Sequence, residues 1–114
     1  MKKLGFGCMR LPLTEKGNDE SVDKKYSSEM FDSFLSDGFT YFDTAYMYHK
    51  GMSERVVGEL LCSTHKRESF LLATKMPVGM LKTKGDTDRI FCDQKQKCQT
   101  EYFDYYLLHS SSLL

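Results

Sequence analysis

Tryptophan is absent from the 114 residues, proline occurs twice, and neither sign of charge dominates, with 16 Lys and Arg against 16 Asp and Glu. Zero formal net charge excludes the basic excess, gathered on one face, by which a nucleic-acid binder is usually marked. The basic cluster Lys82-Thr83-Lys84 runs straight into Asp86 and Asp88. Long hydrophobic runs are also missing: Phe70 to Ala73 and Tyr105 to Leu108 fall far short of the roughly 18 to 20 residues that span a bilayer. The cysteines, at 8, 62, 92 and 98, include no C-x-x-C and no histidine at zinc-ligand spacing, so reduced packing thiols and no metal site are expected. On a helix Cys92 and Cys98 would lie about 120° apart and share no ligand face. Gly5-Phe6-Gly7-Cys8-Met9-Arg10 lacks the third glycine of a dinucleotide fingerprint, Gly79 to Gly85 lacks the G-K-[ST] ending of a phosphate loop, and no G-x-S-x-G occurs. Met1-Lys2-Lys3 begins like a signal peptide, but Arg10 and Glu15 interrupt the apolar stretch, which leaves a cytoplasmic location as the expectation.

What is present is the composition of one small folded domain, 40% hydrophobic and 28% charged. Leu4 to Cys8 reads as a strand. From Ser21 to Ser36, Val22, Tyr26, Met30, Phe31, Phe34 and Leu35 recur at helical spacing, and Asp37-Gly38 supplies a stop. Phe39 to Phe42 is a second strand. Ser53 as N-cap opens a helix carrying Val56, Val57, Leu60 and Leu61. Ser69 to Thr74 is a third strand, stopped before Pro77, and Asp86 to Thr100 a helix with a thin stripe of Ile90, Phe91 and Cys98, Lys95 standing where a core residue would be wanted. The apolar Tyr102 to Leu108 makes the fourth strand, with Tyr41, Tyr102, Tyr105 and Tyr106 expected as strand packing. The order β-α-β-α-β-α-β with a parallel sheet suits part of a barrel or a small flavodoxin-like domain.

Three of these strands deliver an ionisable group at the C-terminal end: Asp43, Lys75 and His109, with Tyr48 five residues past Asp43. Active sites of parallel α/β sheets assemble at those ends. A lysine paired with an aspartate can lower the phenol toward the working range, and imidazole can orient a carbonyl. Taken singly, each has a plainer reading, Asp43 as a turn residue, Lys75 reaching to solvent, His109 as a hydrogen-bonded structural histidine; together they make one proton-transfer set.

The stretch Asp43-Thr44-Ala45-Tyr46-Met47-Tyr48, followed by Gly51-Met52-Ser53-Glu54, resembles the aldo-keto reductase signature D-T-A-x-x-Y and G-x-S-E. Leu72-Ala73-Thr74-Lys75 resembles that family's lysine-bearing strand, Asp104 to His109 its histidine-bearing strand, and Gly5 to Pro12 its opening strand and loop, closest to the bacterial branch whose members often add a C-terminal iron–sulfur segment. The resemblance runs from about residue 4 to 109. It implies a (β/α)8 TIM barrel, a catalytic tetrad of Asp43, Tyr48, Lys75 and His109, and Gly7, Cys8, Met9 and Arg10 with Asp43 bordering the nicotinamide of NADP(H) or NAD(H). It further implies a small carbonyl substrate and no iron–sulfur cluster within this chain.

Such a barrel takes about 250 residues. Residues 1–114 are therefore expected to form its N-terminal half, ending after the fourth strand, without the later strands that grip the adenosine phosphate in the family. Edges uncovered by such an arrangement lead to the expectation of self-association or pairing with a complementary C-terminal half, and of negligible carbonyl reduction by the chain alone. A non-catalytic remnant or assembly module is the alternative reading. Strands in the order 1-2-3-4 with helices on one face, and Tyr48 within about 2.6 to 3.2 Å of Lys75, are the geometric expectations.

Overall fold

The structure, a computed structural model, describes residues 4–109. Four strands, β1 (Gly5–Gly7), β2 (Tyr41–Asp43), β3 (Leu71–Pro77) and β4 (Tyr105–His109), form one parallel sheet in the order β1-β2-β3-β4. Between them lie α1 (Lys24–Ser36), α2 (Met52–Val57), which continues as a π-helical turn over Gly58–Cys62, and α3 (Asp86–Cys98). Sequential order is that of a barrel wall; a flavodoxin-like sheet would place β2 outside β1.

Register and the two-residue period of a strand decide which side chains share a face. Phe6, Phe42 and Leu72 stand in one row across β1, β2 and β3, and all point to the helices. Phe31 and Phe34 of α1 meet them edge-on, with Phe31 5.3 Å and Phe34 5.2 Å from Phe42 between ring centroids. Val56, Val57 and Leu61 complete this core from α2, and Cys98 closes it from α3. The opposite row, Gly7, Asp43, Ala73 and Tyr105, faces away from the helices, and on this side Tyr105 and Leu107 are about half exposed. Leu108 is 79% exposed on the helix side of β4. Each face of β4 thus carries exposed apolar side chains, although Tyr106 on the helix side packs against Phe91 and Phe103.

Several boundaries differ from the sequence expectation for local reasons. The first helix starts at Lys24 rather than Ser21, because Asp23 caps it, Oδ1 accepting from the Tyr26 N–H at 3.0 Å, while Val22 pairs with Leu13 in an antiparallel bridge. Tyr26 is consequently exposed and Ser27 takes a buried place on the stripe. The second strand shifts to Tyr41–Asp43, since Phe39 stacks on Phe34. The third runs through Pro77, where the ladder ends and a missing N–H matters least, paired there with His109. Helix α3 stops at Cys98 with Gln99 left-handed at φ 51°, so Thr100 lies beyond it.

The fourth strand begins at Tyr105 because residues 102–104 are held by Arg67 instead. Arg67 donates to Thr100 Oγ1 at 2.8 Å, Tyr102 O at 2.9 Å and Asp104 Oδ2 at 2.8 Å, and its guanidinium lies 4.1 Å from the Tyr102 ring centroid. Asp104 Oδ2 also accepts from the Leu72 N–H at 2.8 Å, tying the clamp to β3. Tyr102, expected as strand packing, is instead a half-exposed lid over this guanidinium, and Tyr105 is half exposed against Tyr41. With Arg67 only 15% exposed, Arg67→Ala should cost about 2–3 kcal/mol in urea denaturation. Arg67→Lys should recover less than half of that, because an ammonium cannot present the planar fork.

Candidate active site

Asp43 closes β2, and Lys75 lies on β3 two residues past Ala73, the register partner of Asp43, so both project from the same face. Lys75 Nζ donates to both carboxylate oxygens of Asp43, at 2.9 and 2.8 Å, to Thr44 O at 2.9 Å and to Tyr48 Oη at 3.1 Å. Four acceptors around one ammonium leave it little freedom. Burial alone would pull Lys75 down, but its bonds to Asp43 and Tyr48 and the Asp43 charge outweigh that, and the amine is held above its ordinary value. A charged ammonium is therefore placed directly against the Tyr48 hydroxyl. The His109 ring meets the Tyr48 ring edge-on, with centroids 6.1 Å apart. All four residues selected from the sequence come together at one end of the sheet.

The opening loop divides. Gly7 is exposed, and a Cβ built on it would meet no atom within 4 Å, so open space adjoins Asp43, its register partner. Met9 and Arg10 are exposed as well. Cys8 is not: its side chain is fully buried in the core, and burial first, with the Asp43 charge, pushes its thiol far up. Its expected place bordering a nicotinamide is thus reduced to its backbone, where the N–H donates to Asp43 O at 2.8 Å and the carbonyl accepts from Ser53 Oγ at 2.9 Å.

Ser53 was expected to cap the second helix. Gly51, left-handed at φ 95°, takes that position, and Ser53 lies inside the helix, fully buried, bonded also to Thr44 Oγ1 at 2.7 Å. Ser53 is a tie between the loops after β1 and β2.

Three further residues, His49, Gln94 and Lys97, carry no sequence expectation, and Glu54 enters the sequence reading only as the last letter of the G-x-S-E signature. Glu54 is fully buried, its Oε2 accepting from Thr74 Oγ1 at 2.6 Å and Gln94 Nε2 at 2.9 Å, with Lys97 Nζ 3.4 Å from Oε1. Gln94 Nε2 also donates to Lys75 O at 2.8 Å, and its Oε1 accepts from the Tyr106 hydroxyl. The signal was the thin stripe of α3 itself. Ile90, Gln94, Lys97 and Cys98 follow the i, i+4, i+7, i+8 pattern, so the polar pair fills the gaps, while Lys95 lies over Phe91 at 5.0 Å.

Burial pushes the Glu54 carboxyl above its ordinary value of 4.5, against the opposing pull of Thr74, Lys97 and Gln94. A raised carboxyl contributes stability that is complete below the unfolded value and lost as pH rises through the folded one. Glu54→Gln should remove this component, so its stability relative to the unsubstituted chain should increase from about pH 4 to pH 7 in urea titrations. A difference that is flat or reversed across that range would contradict the assignment.

The model of the aldo/keto reductase family matches residues 3–112. The chain is similar to aldo-keto reductase YhdN of Bacillus subtilis, 31% identical across 94% of this chain and 34% of that protein, and to probable aldo-keto reductase 1 of Glycine max, 34% identical across 96% and 33%. Among solved structures it superposes on aldo-keto reductase AKR11C1 from Bacillus halodurans in its holo form, with TM-score 0.74 and 31% identity over 94% of this chain and 35% of that one. It also superposes on a Klebsiella pneumoniae aldo-keto reductase in complex with NADPH, with TM-score 0.72 and 27% identity over 92% and 34%. The chain spans about a third of the length of these relatives.

Proposed function

Since the chain belongs to the aldo/keto reductase family, whose members are oxidoreductases, we propose that Asp43, Tyr48, Lys75 and His109 form a carbonyl-reduction site working with a nicotinamide cofactor. The observation that carries the reading is the Lys75 ammonium, which bridges the Asp43 carboxylate and the Tyr48 hydroxyl. Gly7, Met9, Arg10 and Asp43, with the Cys8 backbone, fit the cofactor, because a ring can approach Gly7 where a side chain would otherwise stand. When bound, NADPH or NADH supplies the hydride for the carbonyl carbon. Tyr48 Oη gives its proton to the carbonyl oxygen as the bond to carbon forms, and the resulting phenolate is held by Lys75 until solvent returns a proton. Asp43 keeps Lys75 charged and aimed, and the His109 imidazole flanks the position of the substrate oxygen.

Residues 1–114 then act as the tetrad-bearing part of one barrel domain of a cytoplasmic reductase acting on aldehydes or ketones. Among the described residues no helix is long and apolar enough to cross a membrane. A second reading, favoured by the exposed Tyr105, Leu107 and Leu108 of β4, is an assembly module that pairs with another copy or with a complementary C-terminal half. Titration of the chain with NADPH, followed by cofactor fluorescence, and an assay with an activated aldehyde distinguish them. Binding with turnover supports the reductase. A folded chain that binds nothing and forms oligomers favours the module, and activity gained only on adding a complementary half favours a split enzyme.

A further inference from the structure

We infer that His49 is the positioning residue for Tyr48, a role that rests on the reading of Tyr48 as proton donor. The backbone after Tyr48 is left-handed for three residues in succession, His49 at φ 53°, Lys50 at φ 55° and Gly51 at φ 95°. Only glycine adopts this conformation without steric cost, and side-chain-bearing residues hold it where their surroundings over-determine them. For His49 the surroundings are explicit. The residue is 8% exposed, Nε2 accepts from the Leu11 N–H at 2.8 Å, and Nδ1 lies 2.8 Å from Asp19 O.

The pairing fixes the chemistry of the ring. A backbone N–H aimed at Nε2 requires a lone pair there, so the proton sits on Nδ1 and is donated to the Asp19 carbonyl. Both partners belong to the loop between β1 and α1, the segment closed by the Leu13–Val22 bridge, which lies outside the tetrad. The other backbone ties of Tyr48 stay within its own turn and the helix that follows, its N–H reaching Ala45 O at 3.4 Å and its carbonyl accepting from the Met52 N–H, whereas His49 ties the turn to a different loop. With its two ring nitrogens bonded to a separate loop, His49 clamps the peptide that follows Tyr48 and so sets where the phenol meets Lys75. The loop between β1 and α1 is thereby part of the frame of the site.

The test reads the Tyr48 hydroxyl directly and needs no turnover. The chain is labelled with [13Cζ]tyrosine, the Tyr48 signal is assigned by Tyr48→Phe, and the unsubstituted chain and Lys75→Met define the two ends of the scale, with and without the ammonium. His49→Phe removes both ring hydrogen bonds and should carry the Tyr48 signal at least half of the way to the Lys75→Met position. His49→Asn should do the same, since asparagine suits a left-handed backbone but is too short to span both partners; it decides the question should His49→Phe fail to fold. His49→Gln, with one acceptor and one donor on its terminal amide, should return most of the shift. Tyr46 and Tyr106, bonded to Asp93 and Gln94, should stay at their original positions. A Tyr48 signal unmoved in His49→Asn, a His49→Gln signal displaced as far as that of His49→Phe, or a displacement shared by all three tyrosines would overturn the inference. A chain with the expected pattern and no reductase activity, either alone or after addition of a complementary C-terminal half, would overturn the proposed function and leave the positioning of Tyr48 intact.

Discussion

Gly58→Ala should destabilise the chain by more than about 3 kcal/mol or prevent folding, although alanine is the better helix former by about 1 kcal/mol. Gly58 sits at a right-handed φ of −61°, so its backbone would accept alanine. The obstacle is space: a Cβ there would lie 2.2 Å from Lys97 O, 2.8 Å from Cys98 C and 3.0 Å from Cys98 Cα. These are backbone atoms at the end of α3, and they cannot withdraw cheaply, because Lys97 is paired with buried Glu54 and Cys98 is fully buried in the core. Either α2 and α3 separate, opening the core around Val57 and Leu61, or the chain does not fold. Gly79→Ala is the control, since a Cβ there meets no atom within 4 Å, and it should change stability by less than about 0.5 kcal/mol. Urea denaturation of the two variants checks the pair. A Gly58→Ala chain within about 1 kcal/mol of the original would show that α2 and α3 do not approach so closely.

Lys75→Met should lower NADPH-dependent reduction of an activated aldehyde by about 100- to 10,000-fold. Methionine keeps the length of the side chain and removes the cation that contacts both Asp43 and the Tyr48 oxygen. Tyr48 would then have to release its proton beside a carboxylate with no compensating charge. Tyr48→Phe, which removes the proton itself, should fall into the same range, and the double variant should be little worse than either, because the two groups act as a unit. The stability cost of Lys75→Met should be far smaller than its kinetic effect, since Asp43 is partly exposed and water can replace the lost bonds. The rates are to be compared in the chain alone and after addition of the C-terminal half of a full-length relative. Equal loss of folding and of activity, or an active Lys75→Met, would refute the assignment of Lys75.

The parallel alternation of strands and helices and the convergence of Asp43, Tyr48, Lys75 and His109 were readable from the residues, because strand polarity alone sends the C-terminal ends of parallel strands to one side. Helical spacing picked out Phe31 and Val56, both buried in the structure, because local geometry dictates which side chains share a face, whereas Phe42 and Leu72 were placed on the core side only by register. The order β1-β2-β3-β4 was fixed only by pairing, since the same alternation also suits the flavodoxin-like sheet that it excludes. Helix starts moved where a distant or competing partner outbid local propensity: Asp23 over Ser21 at α1, and Gly51 over Ser53 once Cys8 and Thr44 claimed the serine hydroxyl. His49 was one polar letter in a loop, Gln94 and Lys97 left only the gaps in a thin helical stripe, and Glu54 was legible as the last letter of the G-x-S-E signature but not as a buried carboxyl. Their partners lie 38 residues away for His49 and Leu11 and 40 for Glu54 and Gln94. A buried polar group is tolerated only where such a partner meets it, and that meeting is decided by the packed chain rather than by any local stretch of it.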